Sequence, residues 1–141
     1  MLERKWIRVG KKSINRAALL TFIHFKAMSC SVRNNKVFLN LLANTSKPQQ
    51  LDLIDIASPS QLRSLAEFAH CVWLEYFPLK EKEKDSILIN RKRLEVFIDP
   101  STSYGQKKKL LVKFEGALLF ALTPILKRFL DELIDDDDEC L

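Results

Sequence analysis

Apolar residues recur at three- and four-residue steps along most of this chain, the spacing that places side chains on one face of an α-helix. The clearest run is Leu62, Leu65, Ala66, Ala69, Val72, Trp73 and Tyr76. It follows Ser58-Pro59-Ser60-Gln61, a capping box with Pro at the first helical position, where its missing N–H has no partner to lose. This predicts a helix over about 59–77, ended by Pro78. A second predicted helix, about 80–98, begins with Lys80, Glu81, Lys82, Glu83, Lys84 and Asp85 and buries Ile87, Leu88, Leu94, Phe97 and Ile98 before Asp99-Pro100 stops it. Ser103 and Gln106 cap a further helix that carries Lys107, Lys108, Lys109, Leu110, Leu111 and Phe114. Gly116 punctuates it. A last helix then runs over about 117–134, with Pro124 either kinking it or marking its first turn.

The earlier part of the chain is less regular. Residues 1–12 read as an irregular basic arm, and 13–26 as an amphipathic helix with Ser13 as N-cap and Ile14, Ala18, Phe22 and Phe25 near one face. Short helices are predicted from Lys36 to Ala43 and over 48–57, the latter turning Leu51, Ile54 and Ile56 inward. The expected fold is all-α: a bundle of four to five helices over 31–134, preceded by a basic N-terminal arm or amphipathic segment (1–30) and followed by an acidic tail (135–141). Leu62, Leu65, Val72, Trp73, Ile87, Leu94, Phe97, Leu111, Phe114, Leu118, Leu122, Leu126 and Phe129 should contribute to its core. Only three of 141 residues are Gly, which argues against a β-sandwich and against Gly-rich phosphate loops.

Charge adds an asymmetry that the total of +5 hides. Residues 131–139 hold seven acids and no base, so residues 1–130 carry a net charge of +12. Seven bases lie within 1–27; a chain starting at the alternative Met28 would have a net charge of −1. A basic body can attract polyanions while an acidic tail competes for the same surface. The Arg- and Lys-rich, acid-poor start also resembles an organelle presequence, so mitochondrial targeting stays open.

Candidate chemistry is sparse. Cys30, Cys71 and Cys140 form no CxxC pair and have no zinc-ligand spacing, so they read as a buried Cys71 and two incidental free thiols in a reducing, intracellular compartment. His70 adjoins Cys71, but neighbours on a helix point about 100° apart, which disfavours a thiolate–imidazole pair. No nucleophile-elbow, zincin, P-loop or dinucleotide fingerprint occurs, so the expectation is a non-enzymatic protein without metal or cofactor. The acidic run 135–139 lacks the alternating ligands and central Gly of a calcium loop.

Two basic clusters remain, Arg91-Lys92-Arg93 and Lys107-Lys108-Lys109. If their helices pack side by side, both can face one polyanion and bind nucleic acid electrostatically, without regard to sequence. The same clusters would suit nuclear import. The rival candidate is the apolar segment 117–130, whose Leu119 and Phe120 would contact a protein partner, a second copy or a membrane. A central core helix would have the same composition.

From Ser58 to about Leu130 the layout resembles small, basic helical proteins of Polinton/Maverick-like elements and adintovirus-like DNA viruses. The matching pieces are Ser58-Pro59-Ser60-Gln61-Leu62, Pro78-Leu79, Lys107-Lys108-Lys109-Leu110-Leu111, and Gly116 through Pro124. Glu115-Gly116 stands where that pattern has a Gly pair, the Lys-rich region is shorter, and the acidic tail is extra. The resemblance implies an origin in a virus-like element and a virion- or genome-associated role. It supplies no catalytic residues.

Overall fold

A computed structural model describes residues 6–9, 12–15, 28, 30–76 and 78–132. From residue 28 onward every regular element is helical. The basic arm is not wholly irregular: β1 (Trp6–Val9) pairs antiparallel with β2 (Lys12–Asn15), with Ile7 opposite Ile14. Residues 13–15, expected to open a helix, are therefore extended. The rest of that expected helix, 16–26, lies outside the described residues, as do 133–134 of the last helix and the acidic tail.

The helical body starts earlier than the expected boundary at 30/31. Met28 is helical and buried, and α1 continues over 30–34. A turn at Asn35 leads into α2 (Lys36–Asn44), followed by α3 (Lys47–Ile56) and α4 (Pro59–Trp73). The capping box of α4 is formed in both directions. Ser58 Oγ accepts from the Gln61 N–H at 3.2 Å, and Gln61 Oε1 accepts from the Ser58 N–H at 2.8 Å. α4 ends before Pro78 is reached. The Glu75 N–H bonds to the Val72 carbonyl and the Tyr76 N–H to the Cys71 carbonyl, with Glu75 left-handed at φ 53°. This is the Schellman pattern, here with Glu where Gly is usual.

The predicted helix 80–98 is two helices, α5 (Glu81–Ile89) and α6 (Arg91–Ile98). They are divided at Asn90, which is buried at φ −98°, ψ 13°. Its amide donates to the Ser86 carbonyl at 2.9 Å, and its oxygen accepts from Arg93 at 2.7 Å. Side-chain bonding of this kind lets Asn compete with a continuing helix. The rotation it introduces leaves Leu88 exposed, contrary to expectation.

α7 (Tyr104–Glu132) opens on the expected Ser103–Gln106 capping box, with both bonds at 3.2 Å. It is two arms, 104–112 and 117–132. Between them Lys113 is extended, and Phe114, Glu115 and Gly116 are consecutively left-handed at φ 52°, 58° and 81°. That conformation costs about 1–2 kcal/mol for each residue with a Cβ. Phe114, expected in the core, is 64% exposed. Pro124 sits within the second arm, eight residues in from its start, on the solvent side.

The second arm is the spine of the bundle. Leu118, Leu119, Ala121, Leu122, Ile125, Leu126, Phe129 and Leu130 are all buried along it. The rings of Phe129 and Phe68 of α4 lie 5.6 Å apart. α3 splints the break in α7: the Lys47 ammonium lies 4.1 Å above the Phe120 ring, Leu51 abuts Gly116, and the Asp55 carbonyl accepts from Lys108 at 2.6 Å. Buried Gln50 donates to the Leu42 carbonyl in the last turn of α2 at 2.6 Å. Where α1 crosses α4, the fully buried Ser64 hydroxyl donates to the Ser31 carbonyl and accepts from the Asn35 amide, so its burial leaves no hydrogen bond unmade. Arg128 bridges to Glu83 at 2.8 Å and donates to the Pro78 carbonyl at 2.9 Å, fixing the start of α5 on the spine. Of the other core expectations, Ile56 is exposed and Trp73 is half-buried.

Candidate nucleic-acid interface

α6 and the first arm of α7 form an antiparallel helical hairpin joined by residues 99–103. The cross-contacts set its direction. Arg93, near the start of α6, places its guanidinium 4.0 Å from the Phe114 ring centre, and Phe97, near the end of α6, lies 5.7 Å from the Lys107 ammonium. The joining loop is tightened by Asp99, whose carboxylate accepts from the Ser101 N–H and hydroxyl at 2.8 Å each. Those bonds, with the charge of Lys107, hold the Asp99 carboxyl below its ordinary value.

The two expected clusters therefore share one hairpin but lie toward opposite ends of it. Along α6, Arg93 lies four residues, about 6 Å at a rise of 1.5 Å per residue, from Phe97, which sits beside Lys107. Arg91 pairs with Glu95 at 3.4 Å and lies 5.7 Å from the Trp73 ring. Lys108 is drawn to the C-terminal carbonyls of α3 through Asp55, a favourable place for a cation at a helix C-terminus. Its ammonium also lies 4.8 Å from the ring of Tyr104, whose hydroxyl donates to the Ala57 carbonyl. Lys107 is half-buried; burial pulls its ammonium below the ordinary lysine value, partly countered by Asp99. It borders a cleft of about 450 Å³ between α4 and the joining loop, with Leu62, Ala66 and Ile98 inside and Arg63 and His70 at the edge. Lys92 and Lys109 are exposed.

Lys113 was not among the sequence candidates, yet it lies four residues after Lys109, immediately past the end of the first arm, and is exposed. With it, residues 91–113 hold seven bases and two acids. The remainder of 28–132 holds nine bases and ten acids. The positive charge of the helical body is thus concentrated on this hairpin.

The rival candidate residues are placed differently. Leu119 is in the core at 1% exposure, and Phe120 is half-buried beneath Lys47, so Leu119 offers no surface to a membrane or partner. Among the described residues no helix is long and apolar enough to cross a membrane, and no group of three metal-ligating side chains occurs. Cys71 is buried, and its thiol is pushed up to about 11 by burial and then by Glu67, so it is protonated at neutral pH. His70, its neighbour, is exposed. Cys30 is disulfide-bonded, contrary to the expected free thiol.

Compared with known protein families, with curated proteins and with solved structures, the chain matches none.

Proposed function

We propose that the protein binds nucleic acid electrostatically through the α6–α7 hairpin. The observation that carries this reading is the segregation of charge: seven bases against two acids on one helical hairpin of a body that is otherwise close to neutral. Lys92, Lys109 and Lys113 are exposed and suited to phosphate contact. Arg91, Arg93, Lys107 and Lys108 add field, while Arg93 and Lys107 also link α6 to the first arm and Arg91 and Lys108 reach α4 and α3. Lys and Arg that neutralise phosphates release condensed counterions, which gives affinity without base recognition. A genome-associated role in a virus-like element, as the sequence resemblance implies, belongs to the same proposal.

The test is binding of a labelled duplex by the full chain and by a Lys92→Gln/Lys109→Gln/Lys113→Gln variant. These side chains are exposed, so the variant should fold normally and bind about tenfold or more weakly at 0.1 M salt. Unchanged affinity would refute the assignment. A second reading, a protein partner or a second copy, is favoured by Val37 and Leu41, which expose 85% and 50% of their surface one turn apart on α2. It predicts association that Val37→Lys abolishes and that varies little with salt.

A further inference from the structure

Phe114 is the least expected side chain on the basic hairpin. Its spacing from Leu110 and Leu111 is that of a core residue, yet it is 64% exposed. Its backbone is left-handed, as is that of Glu115 after it. A bulky residue in that region is an outlier, and such outliers concentrate where a side chain has to be presented. The ring is also positioned on one side. The Arg93 guanidinium lies 4.0 Å from its centre and is itself anchored, 2.7 Å from the Asn90 oxygen. Asn90 is buried and held by the Ser86 carbonyl. A chain of contacts from the core thus fixes a cation against an aromatic ring that remains largely open to solvent. Lys113 adjoins it, and Lys109 lies four residues before Lys113, near the end of the first arm. Glu115 is the one acid beside the ring in sequence.

An exposed, oriented ring within a field of Lys and Arg is the arrangement that receives an unpaired base: the phosphates meet the cations and the base stacks on the aromatic face. A paired base in a duplex does not offer its face, because both sides are already stacked on neighbours. We infer that Phe114, backed by Arg93, is a base-stacking platform, and that the preferred ligand of the hairpin is single-stranded nucleic acid. This rests on the proposed electrostatic function and adds the substrate class to it.

The experiment measures binding of a labelled 20-nucleotide oligothymidine strand and of a duplex of equal length, at one salt concentration. The proteins are the full chain and its Phe114→Ala, Phe114→Leu and Phe114→Trp variants. The full chain should bind the single strand more tightly than the duplex. Phe114→Ala and Phe114→Leu should each lose about 5- to 100-fold on the single strand while changing little on the duplex. Phe114→Trp should retain binding and gain an indole emission that the strand quenches. Circular dichroism and thermal unfolding check that each variant keeps its fold; the Trp variant keeps the test decisive should either truncation unfold. If single strand and duplex bind equally and Phe114→Ala alters neither, the platform is refuted while the electrostatic reading stands. If Phe114→Leu binds as well as the full chain, the contact is apolar rather than stacking and the platform is again refuted. If neither nucleic acid binds, both proposals fall.

Discussion

Replacing Gly116 by Ala tests the break in α7 by the sign of its effect. At φ 81° an added Cβ sits in the left-handed region and lies 3.1 Å from Leu51 Cδ2. The left-handed conformation costs Ala about 1–2 kcal/mol relative to its right-handed alternative. Moving Leu51, which packs against the core, adds strain on the order of 1 kcal/mol. Against this, Ala narrows the unfolded ensemble, worth about 0.4–1 kcal/mol in favour of folding. The net is a destabilisation of about 1–2.6 kcal/mol. At about 2–4 °C per kcal/mol for a domain near this size, Tm should fall by about 2–10 °C. Were α7 one continuous helix, the same change would exchange the poor helix former Gly for Ala and would stabilise the protein by about 1 kcal/mol. Urea and thermal unfolding followed by circular dichroism distinguish the two. A rise in Tm would show that the arms are not separated at Gly116, and it would remove the reason Phe114 is exposed.

Two other perturbations follow from the same contacts. Arg128→Ala removes the link to Glu83 and to the Pro78 carbonyl and should cost about 1–3 kcal/mol; urea unfolding checks this, and a double-mutant cycle with Glu83→Gln should show coupling between the two. Stability should also decline as pH rises from about 9 to about 11, because the unfolded thiol of Cys71 ionises near 9.0 and the folded one near 11. Below the unfolded pKa that contribution is fully present. Unfolding curves across this range should lose part of their pH dependence in Cys71→Ala, and an unchanged slope would show that Cys71 is not the group involved.

How much of this was legible in the sequence varies with how local the cause is. The start of α4 was, because Ser58, Pro59 and Gln61 act within one turn. Gly116 marked the break for the same reason. Its neighbour Phe114 did not, because its spacing from Leu110 and Leu111 is helical and nothing in the periodicity signals a left-handed residue. The division at Asn90 was hidden as well, since Asn is only a modest helix breaker and becomes decisive through its bonds to Ser86 and Arg93. The apolar face around Leu119 had two meanings, surface-seeking helix or buried spine, and only packing against the rest of the bundle separates them. The hairpin of β1 and β2 carried little sign, since neither Trp6–Val9 nor Lys12–Asn15 alternates strictly between apolar and polar residues. The spacing of Ile14, Ala18, Phe22 and Phe25 pointed to a helix over 13–26 instead. In the candidate site, the charge runs were plain, but the sequence could not show that Lys108 and Arg93 also serve the fold. Nor could it show that Lys113 joins them.

The central claim is that the α6–α7 hairpin, rather than the basic N-terminal arm, is the polyanion-binding surface. The direct measurement is the slope of log affinity against log salt for a labelled nucleic acid. It is taken with the full chain, with Lys92, Lys109 and Lys113 changed to Gln, and with Arg4, Lys5 and Arg8 changed to Gln. Each phosphate contact contributes about 0.9 to the slope on duplex DNA. The hairpin variant should therefore lose about 2–3 in slope, and the arm variant should lose clearly less. A hairpin variant with the slope of the unaltered chain, together with an arm variant that no longer binds, would contradict the account.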